Sequence, residues 1–289
     1  MFYIFYAFIW LLSWLPLNVL YVLSDIMYFV IYYVAGYRRK VVRRNLINSF
    51  PDYSTEKIIN IEKKFYRYFS DLMVEIIRQL NAPASDMKRR MTIENLELIN
   101  KQAARGQSVM LMYAHYGNWE WSSTLCLSLP DHYKAFPVYR KLKNTHFDQL
   151  MIRLRNRYGA ESIEKDSLVR KIWQIKQTGE SGIFGMISDQ TPRWKNIRCW
   201  MTFLNQDTPV FLGTEQLAKK YNYPVFYLDI QPIKRGYYKA NIIPIALDPA
   251  NTEEFEITTK FMRILEERIN EKPEYWLWTH KRWKHKKNN

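Results

Sequence analysis

Residues 108–121 read SVMLMYAHYGNWEW, and this stretch contains the clearest strand signal in the chain. Its first seven residues are mostly apolar and begin two residues after Gly106, which is typical of a strand buried on both faces of a parallel sheet. His115, Gly117 and Asn118 come directly after it. The pattern predicts a buried strand over residues 108–114 that ends in a loop.

Strands and helices alternate downstream of this stretch. Short apolar runs predict strands over residues 134–139, 182–188, 225–230 and 237–244. Amphipathic patterns predict helices near residues 145–157, 167–178, 212–220 and 254–270. Such alternation is typical of an α/β domain, so we expect a mixed central sheet flanked by helices.

Two more helices are predicted upstream. Ser54 can cap a long helix whose apolar residues recur at three- and four-residue intervals up to Leu80. The second covers about residues 95–105 and ends at Gly106.

The N-terminal segment is almost free of charge. Residues 1–37 contain a single acidic or basic side chain, Asp25, and offer the roughly 20 apolar residues that a membrane-crossing helix needs. A cluster of basic residues follows at once, and such clusters stay on the cytoplasmic side of a membrane. We therefore predict a membrane anchor over residues 1–37 and one α/β domain over residues 38–289. Whether the anchor spans the membrane or lies on it stays open, because Asp25 is in mid-segment.

Composition narrows the class of protein further. The 289 residues are 47% hydrophobic and 25% charged, which excludes disordered and disulfide-dense classes. Lys and Arg number 43 against 28 Asp and Glu, a formal charge of +15, which suggests a polyanionic partner such as nucleic acid, anionic lipid or an acidic carrier protein. The two cysteines, Cys126 and Cys199, are too few for a zinc cluster and are interpreted as reduced thiols. We expect no bound metal.

The loop after residue 114 contains the best candidates for catalysis, because active sites of α/β sheets form where strands end. His115 lies on the predicted turn, Gly117 eases that turn, and Asn118 can cap the next helix with Glu120 in its first turn. A carboxylate on one ring nitrogen would orient the histidine and stabilise its cation, leaving the other nitrogen free to take a proton from a hydroxyl. We expect Glu120 to supply that carboxylate.

Several motifs in register resemble one family. His115-x4-Glu120 in HYGNWEW resembles the catalytic motif of the lipid A biosynthesis (late) acyltransferases, the lauroyl and myristoyl transferases of the bacterial inner membrane. The resemblance extends over essentially the whole chain, and its other motifs are RRKVVRRNLINSFP at 38–51, Tyr139-Arg140, Asp189-Gln190 and PEYWLWTHKR at 273–282.

The resemblance implies a glycerolipid-acyltransferase-like fold and a reaction. An acyl chain would move from acyl carrier protein, or from acyl-CoA, to a hydroxyl of a lipid A precursor at the cytoplasmic face of the inner membrane. The thioester would be a co-substrate, with no bound cofactor. His115 would deprotonate the hydroxyl, Glu120 would orient His115, and no acyl-enzyme would form.

The resemblance also implies roles for residues around the dyad. Arg140, assisted by backbone amides near Gly117, is the candidate donor to the thioester oxyanion. Asp189 would orient Arg140 or the acceptor, and Gln190 and Asn118 complete the predicted substrate-binding group. Contacts to the acyl carrier or to a lipid headgroup are predicted for Arg38, Arg39, Arg43, Arg193, Lys195 and Arg282. Trp276, Trp278 and Trp283 suit a membrane-interface belt.

Two alternatives stay open at the level of sequence. The acceptor could be another membrane lipid, such as a phosphatidylinositol mannoside, an aminolipid or a lysolipid. Where the family usually has Phe-Phe-Gly this chain has Phe203-Leu204-Asn205, which affects acyl-chain length and acceptor fit. The second alternative is a non-catalytic, basic, membrane-tethered binding protein for nucleic acid or anionic lipid. It gives no reason for His115 and Glu120 to follow a strand, so we expect no nucleic-acid partner.

Overall fold

The computed structural model describes residues 2–287. Its helices are α1 Phe2–Leu12, α2 Leu17–Phe29, α3 Arg39–Ser49, α4 Thr55–Gln79, α5 Ala84–Arg90, α6 Glu97–Ala103, α7 Thr145–Asn156, α8 Leu168–Thr178, α9 Gly213–Tyr221 and α10 Glu256–Glu271. Its strands are β1 Met91–Glu94, β2 Val109–Tyr113, β3 Tyr133–Tyr139, β4 Ile163–Glu164, β5 Ser181–Ile187, β6 Trp200–Phe203, β7 Gln206–Pro209, β8 Val225–Lys234 and β9 Tyr237–Ala246.

Seven strands form one sheet in the order β1-β9-β8-β2-β5-β3-β4. All neighbours are parallel except β8 and β9, which form an antiparallel pair. The predicted mixed central sheet with flanking helices is therefore confirmed. Strand β2 lies in the middle, and all five of its residues are buried, as its apolar run requires.

Each strand and helix predicted downstream of residue 107 is present, to within a few residues at its ends. The strands that sequence patterns missed are the short ones: β1, β4 and the antiparallel hairpin β6–β7. The turn of that hairpin is Leu204-Asn205, and both residues have positive φ, 49° and 60°. Two left-handed residues suit the right-handed twist of a two-residue hairpin, and glycine or asparagine adopts that conformation more easily than leucine does.

The N-terminal segment forms two helices separated at Pro16, the N-cap residue of α2. Within residues 2–287, only Leu17–Val34 is helical, long (18 residues) and apolar enough to cross a membrane, and 33% of it is buried inside the protein. Helix α2 continues as a π-helix over Val30–Val34. Its inward side chains belong to the same hydrophobic core as the sheet: Leu17, Leu20, Tyr21, Tyr28 and Tyr32.

Helix α4 packs along α2 and reaches β9 through the hydrogen bond between Glu75 and Tyr238. Ser54 caps it as predicted, accepting a hydrogen bond from the Lys57 amide at 3.2 Å. The residues of α4 that face α2 pair with it in reverse order along the two helices: Glu75 with Tyr21, Asp71 with Ser24, and Arg67 with Tyr28. Helix α2 therefore lies antiparallel along α4 rather than projecting away from the domain.

Candidate active site

The residues 115–118, here called the His115 loop, leave the carboxyl end of β2 at the centre of the sheet. The loop turns sharply at Gly117, where φ is +59°. A Cβ atom at this position would lie 2.6 Å from the carbonyl oxygen of Ile230 on β8. Only glycine fits, so the loop packs directly against β8 and His115 is held at the end of β2.

The register of two neighbouring strands brings His115 to Asp189. Tyr113 of β2 pairs with Ile187 of β5 in parallel, so the residues two positions beyond each also meet. The Nδ1 atom of His115 lies 2.7 Å from Oδ1 of Asp189, and the His115 amide donates to Oδ2 at 3.1 Å. Trp276 adds a third hydrogen bond, from Nε1 to Oδ2 at 2.9 Å. Asp189 is thus the carboxylate that orients the histidine.

The charge state of Asp189 follows from these partners. Its side chain is 2% exposed, and burial by itself disfavours the ionised form. The charge of His115 and the hydrogen bonds from His115 and Trp276 outweigh burial and hold the pKa of Asp189 below its ordinary value. An ionised Asp189 accepts a hydrogen bond from Nδ1–H of His115, and in the neutral ring this tautomer leaves Nε2 unprotonated.

Gln190 covers the other side of the imidazole. Its amide nitrogen lies 3.2 Å from Nε2 and 3.4 Å from Nδ1 of His115. The indole of Trp119 packs edge-on against the ring at 5.0 Å between centroids. The His115 side chain remains 17% exposed, so Nε2 lies in a partly open site beside one amide donor.

The prediction that Glu120 orients His115 is wrong. Glu120 lies in the first turn of the 3-10 helix Trp119–Ser128, as predicted, but both of its oxygens bind Arg155 of α7, at 2.7 and 2.9 Å. Trp119 Nε1 also donates to Glu120, at 3.2 Å. The helix turns the carboxylate away from the loop and toward α7, so the carboxylate that binds His115 is that of Asp189 and not that of Glu120.

Asn118 and Gly117 also face inward rather than toward a substrate. Asn118 caps the 3-10 helix, as predicted, by accepting from the Trp121 amide at 3.2 Å, and its amide group donates to Glu75 at 2.7 Å. The Gly117 N–H donates to the carbonyl of Tyr275 at 3.0 Å. The Gly117 amide that was expected to assist the oxyanion is therefore occupied, and Asn118 is a structural support of the loop.

Comparison with known proteins identifies the family of the chain. Residues 1–285 match the profile of the family described as bacterial lipid A biosynthesis acyltransferase. The chain belongs to this family. It is similar to the lipid A biosynthesis palmitoleoyltransferase of Escherichia coli K12 and to a lipid A biosynthesis acyltransferase of Shigella flexneri. In both cases the identity is 22% over 261 residues, covering 86% of this chain and 79% of the relative.

Family membership makes the protein an acyltransferase of lipid A biosynthesis.

Several basic residues predicted to contact the substrates lie on the surface. Arg140, Arg193 and Lys195 are exposed, and their side chains form no hydrogen bond or ion pair to other residues within 2–287. Partial burial lowers the pKa of Lys165, Asp166 opposes this, and Arg193 and Arg140 lower it further. These cations, which are distant in sequence, form one surface group here called the Arg140 cluster: Arg140, Lys165 and Arg193.

The N-terminal arginines are partly engaged within this acyltransferase. Arg43 binds the fully buried Glu62 through two hydrogen bonds, at 2.5 and 3.0 Å, and Arg39 lies 3.6 Å from the same carboxylate. Arg38 adopts a left-handed conformation and donates to the carbonyl of Thr279 at 3.0 Å. Arg38 is exposed, whereas Arg43 is mainly a structural link from α3 to α4.

Arg282 is not a surface contact, contrary to expectation. Its side chain is 0% exposed, and none of its three guanidinium nitrogens has a hydrogen-bond partner within residues 2–287. Burial lowers its pKa to about 10, and Asp189 opposes that shift. The neighbouring His280 is half-buried, and this burial lowers its pKa to about 4. Arg282 is therefore a buried cation on the Asp189 side of the site.

The tryptophans of the C-terminal segment do not form an exposed belt. Trp276 is 2% exposed and Trp278 is 0% exposed. Trp276 stacks edge-on with both Trp278 and Trp283. This packing pins the segment beside the His115 loop, where Trp276 reaches Asp189.

Sequence reasoning missed the roles of Asp189, Glu75, Arg155 and Trp276. For Asp189 a signal was available, because two predicted parallel strands ended one residue before His115 and one residue before Asp189. The other three lie on helices or on an irregular segment, and their contacts depend on how those parts pack on the sheet.

Proposed function

We propose that this acyltransferase moves a fatty acyl chain from acyl carrier protein, or from acyl-CoA, to a hydroxyl of a lipid A precursor by direct attack. The observation that carries the proposal is the His115–Asp189 pair at the carboxyl end of the central strands. One ring nitrogen is held by a buried carboxylate while the other lies in a partly open site, which is the arrangement of a general base.

The reaction balances without an acyl-enzyme. Nε2 of His115 takes the proton of the acceptor hydroxyl as its oxygen attacks the thioester carbonyl carbon. The tetrahedral intermediate collapses, the C–S bond breaks, and the imidazolium returns its proton to the thiolate that leaves. Asp189 stabilises the imidazolium in between, since it is ionised and bound to Nδ1.

Gln190 is the group best placed to stabilise the oxyanion. Its amide nitrogen is 3.2 Å from Nε2, so an attacking oxygen beside Nε2 brings the thioester oxygen within reach of the same amide. Arg140 is exposed, which suits a contact to the donor or to a phosphate of the acceptor better than one to the oxyanion. Asn118 and Gly117 support the loop rather than bind substrate.

The Arg140 cluster and Lys195 are proposed to bind the acyl donor. Acyl carrier protein is acidic, and acyl-CoA carries phosphates, so both are attracted to unpaired surface cations. Charge neutralisation of Arg193 would raise the KM for the donor more than it lowers kcat, because the proposed role of Arg193 is to bind the donor and not to take part in the chemical step. Arg38, also exposed, is left as a candidate headgroup contact at the membrane.

The membrane site is proposed to be the cytoplasmic face of the inner membrane. Helices α1 and α2 expose large apolar side chains, among them Ile4 (77%), Leu11 (62%), Val22 (60%) and Phe29 (58%). Because α2 is bound along α4, whose surface carries Lys64 and Arg67, we infer that the helices lie in the interface rather than cross the bilayer alone.

The test is acyl transfer by membranes that contain the wild type, His115→Ala or His132→Ala. Acyl carrier protein with a labelled acyl chain and a tetra-acylated lipid A precursor are the substrates, and products are read by mass. His132 is exposed and serves as the matched control. We expect one added acyl chain with the wild type and with His132→Ala, and a loss of at least about 10³-fold with His115→Ala.

Other results would change the proposal in defined ways. Transfer from acyl-CoA but not from the carrier protein would change the donor. A chain added to a different lipid would overturn the acceptor, and equal activity of wild type and His115→Ala would overturn the base.

A further inference from the structure

Glu75 of α4 is a buried carboxylate outside the reacting group. It is 0% exposed, and within residues 2–287 no Arg or Lys forms an ion pair with it. Three neutral donors surround it instead: Tyr21 O–H at 2.8 Å, Tyr238 O–H at 2.7 Å and the Asn118 amide at 2.7 Å. An uncompensated buried carboxylate is costly, so a specific role is expected for it.

One of these donors ties Glu75 to the His115 loop. Asn118 uses its amide nitrogen for Glu75 and its amide oxygen for the Trp121 N–H. The indole of Trp121 in turn donates to the Glu75 backbone carbonyl at 3.2 Å. Glu75 therefore holds the end of the loop at Asn118, while Asp189 holds its beginning at His115.

A second donor ties Glu75 to the N-terminal helices. Tyr21 lies on the inner face of α2, next to Ser24, which donates to Asp71 at 2.6 Å. On the outer face of α2, Val22 is 60% and Ile26 57% exposed. Helix α2 thus presents an apolar surface outward, and on its inner face the Tyr21 hydroxyl binds Glu75, which in turn holds the His115 loop.

We propose that Glu75 is a positioning residue for the His115 loop, and that its bond to Tyr21 makes the geometry of the loop depend on the seating of α2. This inference rests on the proposed role of His115. When α2 is seated, Tyr21 and Asn118 bind the two oxygens of one carboxylate. When α2 is displaced, Glu75 loses the Tyr21 hydroxyl as a donor, and its hydrogen bond with Asn118 changes in geometry.

The chemistry of the carboxylate makes the link testable. An ionised carboxylate offers about four acceptor positions, enough for all three donors. A glutamine of the same size replaces one oxygen by an NH2 group, so either Asn118 and Tyr238 lose their acceptor or the Tyr21 hydroxyl must accept instead of donate. Tyr21→Phe removes one hydroxyl and leaves the ring packing in place.

The experiment uses the full chain in membranes and compares Glu75→Gln, Tyr21→Phe and Tyr66→Phe. Tyr66 is the matched control, because it is a buried α4 tyrosine whose hydroxyl donates to the Tyr37 carbonyl, away from the loop. Two quantities are measured: kcat and KM for acyl transfer, and hydrogen exchange of the amides of residues 115–121.

We expect Glu75→Gln to lower kcat about tenfold or more with KM unchanged, since small misplacements of reacting groups have effects of this size. Exchange in residues 115–121 should become faster. Tyr21→Phe should show the same pattern more weakly, and Tyr66→Phe should leave both quantities as in the wild type.

Unchanged exchange in Glu75→Gln would overturn the positioning role. Equal effects of Tyr21→Phe and Tyr66→Phe would overturn the link to α2, because general packing would then explain both. The exchange measurement does not depend on catalysis. If the wild type transferred no acyl chain while the exchange pattern held, the link would stand and the proposed reaction would fail.

Discussion

Two buried carboxylates flank the His115 loop, and their ionisation is shifted in opposite directions. Asp189 binds His115 and Trp276, and its pKa lies below the ordinary value. Glu75 has a similar number of hydrogen bonds and an equally complete burial, yet its pKa is raised to about 7. Burial is the leading influence on both.

The partner's charge accounts for the difference. His115 can carry a positive charge, which favours an ionised Asp189, whereas Tyr21, Tyr238 and Asn118 are neutral and do not fully offset the burial of Glu75. In the proposed mechanism, the Asp189 side of the loop stabilises the imidazolium of His115, and the Glu75 side keeps the loop in position.

The largest expected effect comes from Asp189→Asn, which removes the charge and keeps the size. Without the charge, the imidazolium is not stabilised and Nδ1 can lose its proton. We expect kcat to fall on the order of 10³-fold or more. Asp131→Asn, at an exposed position, is the control and should not change kcat. A decrease in kcat of less than tenfold would show that Asp189 does not act on His115 through its charge.

The raised pKa of Glu75 should make the free energy of unfolding depend on pH. Its carboxyl pKa rises from 4.5 to about 7 on folding, so the folded state binds more protons between these values. Stability therefore decreases as pH rises through that window and levels off above it. At about 1.4 kcal/mol per pKa unit, the decrease amounts to about 3 kcal/mol.

The measurement is the free energy of unfolding of wild type and Glu75→Gln between pH 4.5 and 8. The difference between the two curves isolates this group, since other titrating groups contribute to both. If the two curves of unfolding free energy against pH were parallel, the contrast between Glu75 and Asp189 would be wrong. Asp189 contributes nothing in this window, because its lowered pKa lies below it.

A third carboxylate, Glu120, sharpens the comparison because its partner is a permanent cation. Glu120→Gln leaves the half-buried Arg155 without the carboxylate that binds it, and we expect a loss of about 2 to 3 kcal/mol in the free energy of unfolding. The additional change Arg155→Met should restore part of the stability and part of the activity. If the double variant is folded but has no activity, Glu120 has a role in the reaction beyond its ion pair.

The smallest effect is expected for Trp276→Phe, which removes one of three hydrogen bonds to Asp189. The loss of about 1 kcal/mol corresponds to a decrease in kcat of about fivefold. Trp278→Phe is the matched control, because its indole donates to the Pro273 carbonyl instead. Equal kcat values for the two variants would show that Trp276 contributes packing alone.

The periodicity of the sequence determined the long strands, the long helices and the capping residues Ser54 and Asn118, because burial of a repeating apolar face is a local property of the chain. It also determined that His115 follows the central strand. The short strands β1, β4, β6 and β7 were not predicted, because two to four residues are too few to show a period.

Tertiary structure decided which carboxylate reaches His115. Spacing along the chain favoured Glu120, five residues away, but a 3-10 helix turns its carboxylate to Arg155. Asp189, 74 residues from His115, reaches it because β2 and β5 are parallel neighbours in register. Tertiary packing likewise buried Arg282 and placed Glu75 beneath the loop. Local patterns specify where a side chain leaves its own strand or helix, whereas its partner depends on which strands and helices pack beside it.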